Sequence, residues 1–218
     1  MIKKLILYFL RTILLAMSLF LVYKADYLFA FSAFMAAVIS FIPLLSKRYN
    51  LKLPWILEFL IAFALVLHIV GGEYYNFYKI SYIFSPIMHF LGTAIIALFA
   101  YMVVYALKLS KHIKVSILMI GIFTLAFSLA IGTFWEICEF AADRYLGTNS
   151  QGDGINPLDD TMYDLMWDGL AGLVVAIIGS SLAKGHHGLV HPFERFFLRI
   201  KRKYRNYRIK LKKKEIVK

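Results

Sequence analysis

Two sets of carboxylates recur at helical spacing in the second half of the chain, with two histidines ahead of them. Glu136, Glu139 and Asp143 stand three and four residues apart, and Asp160, Asp164 and Asp168 repeat at intervals of four. On a helix each set forms one stripe. His68 and His89 are the imidazoles of the same region, and Trp135 directly precedes the first stripe. Carboxylates with imidazoles are the donor set of hard or borderline divalent cations, Mg, Mn or Zn among them. Without a metal, closely held carboxylates raise one another's pKa, and one becomes a general acid or base. A third use is a proton or cation relay inside a membrane. The candidate metal ligands are thus His68, His89, Glu136, Glu139, Asp164 and Asp168. Of these, Glu136, Glu139, Asp164 and Asp168 are the candidate catalytic carboxylates, with Trp135, Asp143 and Asp160 beside them.

Other chemistries lack their marks. The chain has no Gly-x-Ser-x-Gly elbow, no His-Glu-x-x-His pair and no phosphate-binding glycine loop. The Glu-x-x-His pairs of a di-iron bundle are also missing. Cys138 is the single cysteine, which excludes an internal disulfide and a thiolate cluster, and its apolar setting reads as a buried, inert thiol. Gly71-Gly72 and Gly152-x-Gly154 read as turns at span ends. Arg144, the one arginine close to the acidic stripes in sequence, reads as a partner for Asp143 or Asp153.

The elements that must position these residues are membrane helices. Of 218 residues, 61% are hydrophobic and 17% charged, against roughly 45–50% and about 25% in ordinary globular chains. A crossing helix needs about 20 apolar residues. The stretches 5–23, 27–45, 55–72, 85–107, 115 to about 141 and about 160–183 meet or approach that length. The expected fold class is all-α, a polytopic bundle of about six transmembrane helices. It comprises a six-span domain over 1–183 and a basic cytoplasmic tail over 184–218. Ser85-Pro86 reads as the N-cap and first turn of the fourth span.

Charge orients the spans. Lys3, Lys4, Lys47, Arg48, Lys52, Lys108, Lys111, Lys114 and the tail fall on one side; Lys24, Lys79 and Arg144 fall on the other. Basic loops stay in the cytoplasm, so both termini are expected there, in a multi-pass protein of the cell membrane. The tail holds 13 of the 25 basic residues. Its interleaved aromatics suggest an amphipathic helix on the membrane, drawn to anionic inner-leaflet lipid, and the net charge of +12 does not call for nucleic acid.

Ten of the 13 acids then lie on the outer side or in the outer half of a span. Solvation accounts for Glu73, Asp153 and Asp159. It does not account for the sixth span, whose apolar run after Asp168 is only 15 residues. That helix must begin earlier and carry Asp164 and Asp168 inward, with Asp168 roughly 12 Å along the axis from Asp160. Burying an ionised Asp near the bilayer centre costs about 2.5–3.5 kcal/mol on insertion scales. Simpler roles exist for single residues: Glu136 as a solvated helix end, Trp135 as a belt residue, Thr161-x-x-Asp164 as a capping box. They explain one or two acids, not five.

The block Trp135-Glu136-Ile137-Cys138-Glu139-Phe140-Ala141-Ala142-Asp143 resembles the YjdF-like membrane proteins, an uncharacterised family. So does the later block Leu158-Asp159-Asp160-Thr161-Met162-Tyr163-Asp164 with Asp168-Gly169. His68 with Gly71-Gly72-x-Tyr74, and His89-Phe90, are similar to that family's remaining motifs. A more distant likeness is to VanZ-like membrane proteins, from whose pattern Glu139 and Asp168 depart by replacing a glutamine and an asparagine. Neither resemblance implies a known reaction. The leading expectation is an outer-facing, metal-dependent or metal-free enzyme acting on membrane lipid or a lipid-linked envelope component of the outer leaflet. The alternatives are a proton- or cation-coupled transporter or lipid translocator, and a scaffold without catalysis.

Overall fold

The computed structural model describes residues 2–46, 53–152 and 156–183, with Arg195, Leu198, Arg199 and Arg202 further on. Asp153 and most of the expected tail helix therefore lie outside the described residues. Among those described, no strand occurs. Six helices are long and apolar enough to cross a membrane. They are α1 (Ile2–Tyr23), α2 (Tyr27–Ser46), α3 (Trp55–Val66) with its continuation Leu67–Tyr74, α5 (Phe84–Leu109), α6 (Ile117–Leu146) and α7 (Pro157–Leu182). The short α4 (Phe77–Ile80) sits in the connection before α5.

In α2 side-chain size decides which face turns inward. Leu5, Phe9, Leu19, Phe31, Phe34, Leu118, Ile122 and Phe123 point outward and are exposed, whereas Ala30, Ala33, Ala36 and Ala37 of α2 are buried. Small residues inside and large apolar ones outside are what helices packed in lipid require, since close backbone approach is the chief source of attraction there. Two groups of three helices result. In one, α1, α2 and α3 pack mutually, around Leu14, Leu21, Ala33, Ala37 and Ile69. In the other, α7 packs against both α5 and α6, which also touch each other. Contacts between α3 and α5 join the groups through Leu57, Ile95, Met102 and Tyr105.

The helix ends follow from local chemistry. Ser116 caps α6 by accepting from Met119 N at 3.1 Å, and Gly147 ends it in the left-handed region at φ 69°. Asn156 caps α7, accepting from Leu158 N at 3.2 Å, with Pro157 in the first turn. The sixth span thus starts before Asp160, and Asp164 lies well inside the helix rather than in a capping box. Ser85 does not cap α5 either. That helix begins at Phe84, its cap position is Ile83, and the Ser85 hydroxyl is engaged elsewhere.

Gly71 and Gly72 are buried within the widened π turn Leu67–Tyr74, not in a loop. A Cβ on Gly72 would stand 2.2 Å from the Tyr78 ring, so only glycine lets α4 fold back on α3 here. Widened turns of this kind are frequent at functional sites.

An ion pair that the charge pattern did not reveal ties α1, α2 and α3 together. Arg11 and Glu58, 2% and 4% exposed, meet at 3.4 Å, and Arg11 Nε donates to Ser40 O at 2.9 Å. Arg11 also lies over the Phe41 ring.

A candidate metal centre at one end of the bundle

Three helices deliver the polar residues to one layer. Parallel α5 and α7 each present a stripe at intervals of four: Ser85, His89 and Thr93 on α5, and Asp160, Asp164 and Asp168 on α7. The first two pairs keep one register, and Thr93 reaches back to the same acid as His89. Ser85 Oγ donates to Asp164 Oδ2 at 3.0 Å, His89 Nδ1 stands 3.4 Å from Asp168 Oδ2, and Thr93 Oγ1 donates to Asp168 Oδ1 at 2.5 Å. Asp164 and Asp168 are 1% and 0% exposed, the deepest acids of the region.

Antiparallel α6 adds Glu136 from the other side, also buried and not a solvated helix end. His89 Nε2 lies 3.6 Å from Glu136 Oε1 and 3.4 Å from Asp164 Oδ2. Neither oxygen of Glu136 has a partner in hydrogen-bond geometry, and Thr161 stands beside it. Such an orphaned buried carboxylate is costly in any folded protein.

The room for this arrangement comes from Gly132, one turn before Glu136. A Cβ there would fall 2.1 Å from Asp168 Oδ2 and 2.9 Å from Asp168 Cβ. Glycine at 132 is therefore what allows the Asp168 carboxylate to lie between the helices.

Asp168 Oδ2 stands behind His89 at Nδ1, and Nε2 on the far side of the ring faces Glu136 and Asp164. A carboxylate behind a histidine in this way is the usual support of a metal-binding imidazole. The donor atoms of His89, Glu136 and Asp164 lie within 4.8 Å of one another. The 3.4 and 3.6 Å separations from Nε2 are long for hydrogen bonds. Two ligands about 2.1 Å from a tetrahedral cation stand about 3.4 Å apart, so the spacing suits donors surrounding an ion. Of the six expected ligands, His89, Glu136 and Asp164 are thus gathered, with Asp168 behind them.

The others are placed apart. His68 is on the widened turn of α3, where its Nδ1 and the Tyr78 hydroxyl share a hydrogen bond of 2.7 Å and its Nε2 faces Glu73 at 3.9 Å. Burial foremost, and then the carboxylates Glu73, Glu139 and Asp164, push the Tyr78 phenol well above its usual range, so it keeps its proton. Glu139 accepts from Trp135 Nε1 at 2.8 Å. Asp143 does not bond Arg144; it accepts from Thr148 Oγ1, Ser150 N and Gln151 N and so shapes the loop after α6. Asp160 lies beside Gly152, one turn from Asp164.

Above the layer is a cavity of about 600 Å³ whose wall includes Tyr78, Lys79, Ser85, Trp135, Glu139 and Asp160. Cys138 is on the same wall and exposed, contrary to the buried thiol expected from its apolar neighbours. Sequence reasoning also missed Thr93 and gave Ser85 the wrong role, although the spacing 85, 89, 93 carried the same signal as 160, 164, 168.

The fold and this centre define a helical membrane protein with an acid–histidine cluster buried at one end of a three-helix unit. The chain belongs to the DUF2238 family of predicted membrane proteins, whose profile matches residues 6–185. It is similar to an uncharacterized protein of Thermotoga maritima, 32% identical over 124 residues, a stretch covering 56% of this chain and 60% of that one. The match thus spans less than two thirds of the relative. No solved structure matches the chain.

Proposed function

We propose that the protein is a metal-dependent membrane enzyme acting at the headgroup of a lipid or lipid-linked envelope component. His89, Glu136 and Asp164 hold a divalent cation, Mg, Mn or Zn; Asp168 and Thr93 orient His89, and Ser85 orients Asp164. A bound cation lowers the pKa of its water and polarises an ester or phosphoryl oxygen. Glu139 and Asp160, in the cavity beside it, are the carboxylates within reach of a proton released there. His68 does not join the ligand set in this reading.

One observation carries the proposal: the buried Glu136 carboxylate has no hydrogen-bond partner and faces the donor atoms of His89 and Asp164. A cluster serving only to lock helices would satisfy that carboxylate internally. A transporter would need polar groups continuing through the bundle. Below Asp168, however, Thr124 and Ser128 donate back to carbonyls of their own helix at 2.8 Å, and Ala97, Ala171 and Ala176 are buried around them. On α5, polar side chains resume only at Tyr101, about 12 Å from Thr93. The enzyme reading is therefore preferred to both alternatives.

The surroundings follow from charge. With basic loops and tail cytoplasmic, the centre opens outward from the cell membrane and the tail contacts anionic inner-leaflet lipid. The YjdF-like motifs, His68 to Gly169, fall within the matched region 6–185. The VanZ-like likeness remains one of motif alone and adds no substrate.

The test is metal content by elemental mass spectrometry of the purified protein beside a Glu136→Ala, Asp164→Ala double variant. Stoichiometric metal in the first and its loss in the second is the expected result, and hydrolase assays on envelope lipids follow from it. Near-zero metal in both refutes the proposal.

A further inference from the structure

We propose that the cavity over the centre receives the ammonium group of an amine-bearing lipid headgroup, an inference that rests on the headgroup-directed function just described and names its substrate class. The charge of the walls is one-sided: Glu73, Glu139 and Asp160 face Lys79. Asp160 supplies the independent observation. It is 8% exposed, it lines the cavity, and its Oδ2 is buried without a hydrogen-bond partner. Gly152, at φ 79°, makes this possible, because a Cβ there would stand 2.9 Å from Asp160 Oδ1.

The wall chemistry selects among ligands. A free anion is opposed by three carboxylates. A neutral sugar gives Asp160 a hydrogen bond but leaves the charge uncompensated. A second metal ion is too small: among the described residues, the group close enough to share an ion is His89, Glu136 and Asp164, and the cavity acids form no such group. Carboxylates spread around a space of about 600 Å³ suit a larger organic cation, which also gains from the rings of Tyr78, Tyr82 and Trp135 on the same wall. Asp160 is one turn, about 6 Å along the axis, from Asp164. An ammonium held at Asp160 therefore sets the phosphodiester next to it against the metal centre, while Leu28 and Phe29 of α2 give the acyl side an apolar rim.

The experiment is native mass spectrometry of the full-length protein extracted from vesicles of equal phosphatidylethanolamine and phosphatidylglycerol. A parallel set contains N-acetylated phosphatidylethanolamine, which keeps the lipid and removes the positive charge. The expected result is retention of phosphatidylethanolamine about tenfold over either rival, equivalent to about 1.4 kcal/mol. A Glu139→Gln, Asp160→Asn variant should bring the ratio to within about twofold of unity. Lys79→Gln, which leaves the acids in place, should raise the wild-type ratio and keeps the question decidable if the double variant does not fold. Equal retention, preference for phosphatidylglycerol, undiminished binding of the N-acetylated lipid, or a ratio insensitive to these substitutions each overturns the inference. Metal content of the wild-type protein, measured beside its lipid retention, separates the two readings. Headgroup preference without bound metal refutes the metal centre alone, and bound metal without headgroup preference refutes the ammonium site alone.

Discussion

Replacing Gly132 by alanine should damage the metal centre without touching any of its ligands. The new Cβ would overlap the Asp168 carboxylate, 2.1 Å from Oδ2 and 2.7 Å from Cγ. Asp168 must then withdraw from His89 Nδ1, 3.4 Å away, and from Thr93 Oγ1. Loss of such a supporting partner typically weakens metal binding about 10–100-fold. The overlap itself costs stability, about 1–3 kcal/mol as in other overpacked interiors. Gly172→Ala is the matched comparison, since its Cβ would meet Ser128 Cβ at 2.6 Å in the same α6–α7 interface but away from the imidazole. Both variants should lower the unfolding temperature in detergent by similar amounts. Only Gly132→Ala should weaken Mn or Zn binding measured by calorimetric titration on the folded protein. Equal metal affinity in the two variants would show that Asp168 does not support the histidine, and the argument for its supporting role would fail.

Three further outcomes are expected. Glu58→Leu alone should destabilise the protein by about 3–5 kcal/mol by removing the carboxylate from the buried Arg11 charge, and the Arg11→Leu, Glu58→Leu double substitution should be milder; thermal unfolding of both checks it, with a larger loss in the double variant as the contrary result. Tyr78→Phe should cost about 0.5–1.5 kcal/mol through the lost hydrogen bond to His68. Because the folded phenol holds its proton more tightly than the unfolded one, its contribution is complete below the unfolded pKa of about 10 and declines above it, so Tyr78→Phe should lose less stability than the wild type between neutral and strongly alkaline pH in denaturant titrations. Cys138 should react with a membrane-impermeant maleimide in intact cells; labelling only after permeabilisation would reverse the proposed orientation.

Much of the architecture was determined by the sequence itself. The six apolar runs dictate helices because a backbone in lipid has to satisfy its own hydrogen bonds. The shortness of the apolar run after Asp168 required Asp164 and Asp168 to enter the helix, and α7 does begin at Pro157. The three- and four-residue intervals placed each acidic set on one face, since that follows from helix pitch alone. What pitch does not encode is which face meets which. Tertiary packing joined His89, Glu136, Asp164 and Asp168 and left His68 with Tyr78 and Glu73. It also turned Ser85 from an expected cap into a donor for Asp164 and put Arg11 beside Glu58 across 47 residues. Close approach at Gly132 was decided there too, because a missing side chain has meaning only when another helix fills its place.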